Sequence, residues 1–437
     1  MNPSSAPASG VYLHTLGCPK NDADSRTLSR ALAVAGVHVV DDPAGASFIV
    51  INTCGFIQDA KEESIGAILD ACGNYGGERV VVTGCMVERY MDELREGIPE
   101  VAGWFGLADA ERLVACLRGE AGGTPILTGE GPQVKSYAYV KISDGCDELC
   151  SFCAIPAIKG RYYSVDPAEI VAEVRSCLDE GAREIVLVGQ DTAVWRHGHM
   201  GLTDLLELLA AEERVRRIRL MYLQPEHVTD ELLEYMAAQP KLCRYLDIPF
   251  QHADSAVLHR MGRWGDGEEY RRLIARARRL MPDVSMRSTF IVGFPGETIG
   301  QFEALLEFVD DVGFDHAGGF VYSPEEGTSA SALRPQVRRS IARERLNRLT
   351  DVLAARAAER NQSLIGSRVE VMLDSRDPGD LEEEAVAVGR TAGQAPEIDG
   401  LTHVEGDLPV YFGPGDVVMV RVTDSIGYDL VGTYDAT

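Results

Sequence analysis

Three cysteines, Cys146, Cys150 and Cys153, fall within eight residues at the spacing C-x3-C-x2-C. They follow an apolar alternating run from Tyr137 to Ile142, which puts them in a loop beyond a strand. Such a loop can wrap its sulfurs round one compact metal centre. Thiolates are soft donors and select iron–sulfur clusters, zinc or copper(I). Zinc sites and ordinary 4Fe–4S sites take four protein ligands, and no fourth cysteine follows locally. Three readings stay open: buried structural thiols, a zinc knuckle with a distant fourth ligand, or a 4Fe–4S cluster with one iron left for a substrate or cofactor.

A second set of thiols is spread along the first hundred residues. Val11 to Leu16, Ser47 to Ile51 and Val80 to Thr83 read as strands. Helical stretches follow at about Asp22 to Ala35, at Ile57 to Ala71 and from Val87. This alternation predicts a parallel sheet with helical crossovers, and such sheets collect ligands beyond the carboxyl ends of their strands. Cys18, Cys54 and Cys85 occupy those ends, each beside a glycine that permits close backbone approach. One cysteine in such a loop means little, but three after successive strands predict a second three-thiolate site. Cys72, Cys116, Cys177 and Cys243 lie on helical patterns or before a strand and read as small buried hydrophobes.

The elements that must position the first loop come next. Six strand candidates (138–142, 184–188, 217–222, 244–248, 285–292 and 317–322) alternate with helices. They predict an open partial barrel whose site lies at the strands' C-terminal ends. Gly189-Gln190-Asp191-Thr192, Gln224-Pro225-Glu226, Pro249-Phe250-Gln251-His252, Gly293-Phe294-Pro295-Gly296-Glu297-Thr298 and Tyr322-Ser323-Pro324-Glu325 follow successive strands. Singly, each reads as a helix cap or a satisfied polar residue, His252 included. Together they form a ring of hydrogen-bonding groups. Phe152 in the cysteine loop either packs or faces a bound group. Arginine clusters at 214–219, 271–279 and 334–348 read as solvated helix faces.

From Ile365 the chain turns to short strands, at 368–373, 384–389, 410–412, 417–423 and 430–433, punctuated by Gly, Pro and Asp. That pattern predicts a small β-barrel. Its fifteen acids against four arginines give −11, a charge that repels RNA and attracts a basic protein. The whole chain of 437 residues carries −26 at 45% apolar content, which argues against a general nucleic-acid binder. No apolar run is long enough for a membrane span. The first ten residues lack the pattern of a secretory signal, and with ten cysteines the expectation is a cytoplasmic protein with metal or redox chemistry.

The C-x3-C-x2-C loop with Phe152 before its last cysteine resembles the signature of radical S-adenosylmethionine (SAM) enzymes. Across nearly the whole chain the three blocks resemble the radical SAM methylthiotransferases. That resemblance implies an N-terminal cluster-binding α/β domain over 10–122, a radical SAM partial (β/α)6 barrel over 132–364 and an all-β TRAM barrel over 365–437. It implies two 4Fe–4S clusters, one on Cys146, Cys150 and Cys153 that binds SAM, the other on Cys18, Cys54 and Cys85. Phe152, Gln190, Gln251 and Glu297 become candidate SAM contacts. Leu246 to His252, Tyr322 to Thr328 and Ala395 to Gly400 resemble the RimO-type branch, which modifies an aspartate of small-subunit ribosomal protein twelve. In that chemistry a deoxyadenosyl radical from SAM removes a β-hydrogen, and a methylated sulfur on the second cluster traps the substrate radical as 3-methylthioaspartate. The implied partners are the basic ribosomal protein, an electron donor such as flavodoxin or ferredoxin, and a sulfur donor. The rival substrate is a tRNA adenosine, against which the acidic third domain argues. A non-catalytic two-cluster carrier or sensor would instead carry a fourth cysteine at each site.

Overall fold

The computed structural model describes residues 10–120, 135–376 and 385–436. Most of the Gly-, Pro- and Thr-rich linker read at 119–131 lies outside the described residues, as do Asp377, Asp380 and Glu382 to Glu384 of the acidic barrel. Two compact units emerge. The described part of the first covers 10–120, 145–147 and 154–162, and that of the second covers the rest.

The first unit is a five-stranded sheet built from β1 (Gly10–Thr15), β2 (His38–Val40), β3 (Phe48–Thr53), β4 (Val80–Gly84) and β5 (Gly103–Phe105). The order is β2-β1-β3-β4-β5, parallel throughout. Helices α1 (Pro19–Val34), α2 (Gln58–Tyr75), α3 (Cys85–Gly97) and α4 (Ala110–Glu120) make the crossovers. β3 is central and buried at all six positions, which is why Phe-Ile-Val-Ile runs without alternation. The sheet matches the reading from sequence and adds two three-residue edge strands, β2 and β5.

The second unit begins with β6 (Tyr137–Lys141) and continues through α5 (Pro167–Asp179), β7 (Glu184–Val188), α6 (Leu202–Ala210), β8 (Arg217–Leu220), α7 (Asp230–Ala238) and β9 (Tyr245–Asp247). It goes on through α8 (Ser255–Met261), α9 (Gly267–Leu280), β10 (Ser285–Val292), α10 (Ile299–Val312), β11 (His316–Val321) and α11 (Arg339–Leu364). The strands form two parallel three-stranded sheets, β8-β7-β6 and β9-β10-β11, joined where Leu223 donates to the Asp247 carbonyl and Cys243 to that of Ile218. This is the six-strand open barrel. Ile185, Leu187, Ile218, Leu246 and Phe290 pack against the helices in one continuous core. The alternate positions face the barrel interior.

The chain closes with a barrel of β12 (Arg368–Ser375), β13 (Ala385–Arg390), β14 (Thr402–Glu405), β15 (Val417–Ile426) and β16 (Asp429–Tyr434), in the order β12-β13-β14-β16-β15. The strand read at 410–412 is absent. Val410 and Tyr411 are 89% and 75% exposed on a turn, whose carbonyls at Leu408, Pro409 and Phe412 accept from Arg376. Thr402 to Glu405 supplies the strand instead, because its first three side chains are buried.

The end of β13 and the segment from it to β14 insert into the N-terminal end of the open barrel and meet the first residue of all six strands. The Tyr137 hydroxyl donates to Glu397, and Glu184 pairs with Arg390 at 2.8 Å. Arg217 donates to the Arg390 carbonyl and Tyr245 to the Asp399 carboxylate. Ser285 and His316 both meet the Gly393 carbonyl. Glu184, Arg219 and Arg390 are fully buried, and Arg390 also grips Asp374 through two nitrogens. Arg217 and Arg219 are therefore buried strand residues rather than a solvated helix face, because Glu184 and the inserted carbonyls provide partners inside the barrel. The motif Ala395 to Gly400 belongs to this plug. Among the described residues no helix is long and apolar enough to cross a membrane.

Candidate functional site

In the first unit three loops meet at the carboxyl edge of the sheet. Cys18 is the N-cap of α1, Cys54 follows β3, and Cys85 opens α3. Gly17 has φ +97°, and a Cβ there would lie 2.6 Å from Cys54 Cβ and 3.0 Å from its sulfur. A Cβ on Gly55 would lie 2.7 Å from the Met86 Cα. These glycines let the three loops close on one another. Ser64 of α2 clamps Cys54, accepting from its N–H at 3.1 Å and donating to its carbonyl at 2.9 Å. Asn21, buried, ties the Leu16 and Thr53 carbonyls together and accepts from the Cys85 thiol at 3.8 Å. Asn52 in turn holds the Asn21 carbonyl.

Burial pushes the Cys54 thiol up, and pushes that of Cys85 up to about 12, with the charge of Cys18 raising both further. Burial thus holds the protons on Cys54 and Cys85, and a bound metal removes such protons outright. The soft donor set, the cradle at Gly17 and the N-termini of α1 and α3 fit an anionic iron–sulfur centre. Among the described residues no three His, Cys, Asp or Glu side chains draw together tightly enough for a single metal ion. A cluster that places its ligands on separate irons does not ask for that convergence.

In the second unit a short antiparallel pair, Ser143–Asp144 with Tyr163–Ser164, closes the base of the excursion that carries Cys146, Cys150 and Cys153. Cys153 donates its N–H to the Cys150 carbonyl in a tight turn. Ser151 anchors that turn to the Met261 and Arg260 carbonyls at the end of α8, and Ala330 donates to the Ser151 carbonyl. Gly262 has φ +68° and admits the Leu149 carbonyl where a Cβ would stand 2.6 Å away. Burial pushes the Cys150 thiol up, while Arg263 beside it pulls down. Cys146 lies in the part of the excursion grouped with the first unit, where its N–H donates to the Gly160 carbonyl. The left-handed Gly145 just before it has no room for a Cβ against the Arg161 carbonyl.

The ring read at the strand ends is present but uneven. Gln190 is half-buried after β7. Gln251 is half-buried with φ +67°, its backbone pinned between Thr289 and Ile291. Phe152 packs against the large core. Glu297 is different: its carboxylate is buried, accepts from the N–H groups of Gly293 and Phe294, and pairs with Arg345 at 3.1 Å. It holds the Gly293–Gly296 turn. His252 is fully buried, and its Nδ1 accepts from the Asp254 N–H at 3.0 Å while its Nε2 has no protein partner. Burial pushes its imidazole down to about 3 and so keeps it neutral. Asp191 accepts from Ala193 and Gln224 and meets His227 Nδ1 at 2.6 Å. Asn21, Ser64 and Arg263 carry no motif of their own in the sequence. Asn21 stands three residues after Cys18; Ser64 and Arg263 offer no such signal.

Models of known families match three stretches: an uncharacterized protein family (UPF0004) over 10–106, the radical SAM superfamily over 140–309 and the TRAM domain over 365–434. Proteins described as ribosomal protein uS12 methylthiotransferase RimO align end to end. One from Anaeromyxobacter sp. strain K is 40% identical over 97% of this chain and 93% of its own length. One from Desulforudis audaxviator is 41% identical over 98% of both, and one from Thermotoga maritima 38% over 97% and 99%. Among solved structures, the radical SAM methyltransferase TsrM of Kitasatospora setae, with tryptophan and a SAM analogue bound, shares the fold. It superposes with a TM-score of 0.54 at 14% identity, over 85% of this chain and 79% of its own.

Proposed function

This chain belongs to the RimO family of ribosomal protein uS12 methylthiotransferases, and we propose that it methylthiolates the β-carbon of a uS12 aspartate with two 4Fe–4S clusters and SAM. The observation that carries the two-cluster reading is the meeting of the Cys18, Cys54 and Cys85 loops at one sheet edge. Cys146, Cys150 and Cys153 would hold the SAM-binding cluster. When bound, the two groups supply homolytic cleavage of SAM and a methylatable sulfur; the protein supplies placement and dryness.

The chain's own residues do the placing. Ser64 and Asn21 fix Cys54 and Cys85. Ser151 holds the Cys150–Cys153 turn against α8. Gln190 and Gln251 offer amides to the polar ends of SAM, and Phe152 offers a ring edge. Glu297 acts as a positioning residue by shaping the Gly293–Gly296 turn, not by contact. The plug at the N-terminal end of the barrel excludes water from below. The functional parts are 10–122, 132–364 and 365–437. The enzyme works in the cytoplasm, takes its electron from a flavodoxin or ferredoxin and its sulfur from a separate donor.

The test is iron, sulfide and product analysis of the reconstituted full chain. C150A should lose one cluster's iron and all deoxyadenosine formation. C54A should lose the other cluster's iron, keep deoxyadenosine formation and stop methylthio transfer. Full thiolation by C54A would sink the division of labour. Mass spectrometry of cells lacking the protein should show uS12 without its methylthio group; loss from a tRNA adenosine instead would reassign the substrate.

A further inference from the structure

Arg263 is 7% exposed and sits just past the left-handed turn at Gly262. Its guanidinium joins three distant elements. Nη1 donates to the Gln224 side-chain oxygen and lies 3.8 Å from Cys150 Sγ. Nη2 donates to the Pro249 carbonyl at 3.0 Å. Nε is buried with no acceptor, and Oε2 of nearby Glu226 is buried with no donor. Among the described residues these partners are an amide, a carbonyl and a thiol, none of them a carboxylate. A buried guanidinium depends on the anions around it; Glu226 acts on this one through space, without a hydrogen bond. Cys150 is the one partner that can become an anion.

We propose that Arg263 is a positioning residue for the centre on Cys150, donating a charge-assisted hydrogen bond to its thiolate and easing one-electron reduction. This rests on the assignment of Cys150 as a cluster ligand. The physical ground is electrostatic. Reduction adds one negative charge to the centre, and net charge and hydrogen bonds to the sulfurs set the potentials of such centres. A fixed cation in a site of low dielectric favours the reduced form. Gln224 and Pro249 hold the planar fork in place, so the cation needs no rearrangement when the electron arrives.

The experiment uses the full-length reconstituted protein without SAM. The midpoint of the cluster is followed by electron paramagnetic resonance during a redox titration, with iron and sulfide counted per chain. R263M should lower the one-electron reduction equilibrium at least tenfold, a 59 mV negative shift for one electron. R263K, which keeps the charge, should recover most of that shift. Q224A keeps the arginine but frees its fork. It should give a smaller shift of the same sign, and it decides the matter if R263M does not fold. A full complement of iron with an unchanged midpoint in R263M, or in Q224A where R263M fails, overturns the proposal. An unchanged midpoint with weakened SAM binding overturns it too, and assigns the guanidinium to the SAM carboxylate. C150A separates the underlying assignment: if it keeps all its iron, Cys150 is no ligand, and the fault lies there rather than with Arg263.

Discussion

Glu184→Gln should be among the most destabilising single substitutions in the second unit. The wild-type carboxylate is fully buried and pairs with Arg219 at 2.7 Å and Arg390 at 2.8 Å. Burial alone would push its pKa up, but the guanidinium groups of Arg219, Arg390 and Arg217 outweigh burial and hold it at about 2, against an ordinary 4.5. At 1.36 kcal/mol per unit, that depression corresponds to about 3 kcal/mol of stability at neutral pH. Removing one member of a buried ion pair costs about 3–5 kcal/mol, so two routes reach the same magnitude. Because the folded carboxyl titrates below its unfolded value, the contribution is complete above about pH 4.5 and is lost as the pH falls towards 2. The assay is anaerobic urea unfolding of the holoprotein in a W104F background, so that Trp195 and Trp264 report on the second unit alone. E184Q should unfold about 3 kcal/mol more easily at pH 7, and the gap to the parent should narrow below about pH 4.5. A gap under about 1 kcal/mol at pH 7, or one that stays constant into acid, would refute the reasoning.

Gly17→Ala should strip iron from the first unit's centre, since φ +97° is strained for alanine and its Cβ would strike Cys54; iron per chain should fall by about half, one of two clusters. Asp191→Asn should flatten the pH dependence of stability near neutrality. The hydrogen bond that His227 donates to Asp191 raises the His227 pKa, so the pair stabilises below about pH 6.5 and the benefit fades as the pH rises through the raised value; thermal melts of parent and variant across that range check it. Tyr411→Ser should change stability by less than about 0.5 kcal/mol in the same urea assay, because its ring stands in solvent.

Much of this molecule was readable from local pattern. The apolar run of β3 announced a strand, and its alternation with helices announced a parallel sheet. The topological rule for such sheets then brought Cys18, Cys54 and Cys85 together, though up to 67 residues separate them. What escaped was long-range. β2 and β5 are three residues each, too short to carry a period. Arg263 reaches Cys150 across 113 positions, and no spacing rule links an arginine to a thiol at that separation. Arg217 and Arg219 looked solvated because Glu184 and the β13–β14 segment, up to 173 residues away, are invisible to a window of a dozen residues. Val410 to Phe412 has strand-forming side chains, but Pro409 and Gly413-Pro414 leave it no ladder to join.

The plug between β13 and β14 turns the open barrel into a ruler. It fixes the acidic terminal barrel at the N-terminal end of six strands, while the cysteine loop lies past their other end. At about 3.3 Å per residue, those strands of three to eight residues run for roughly 10–26 Å. A partner that docked on the terminal barrel would have to span that length to reach the cysteine loop. For such a partner, reach as well as affinity would set which side chain arrives there.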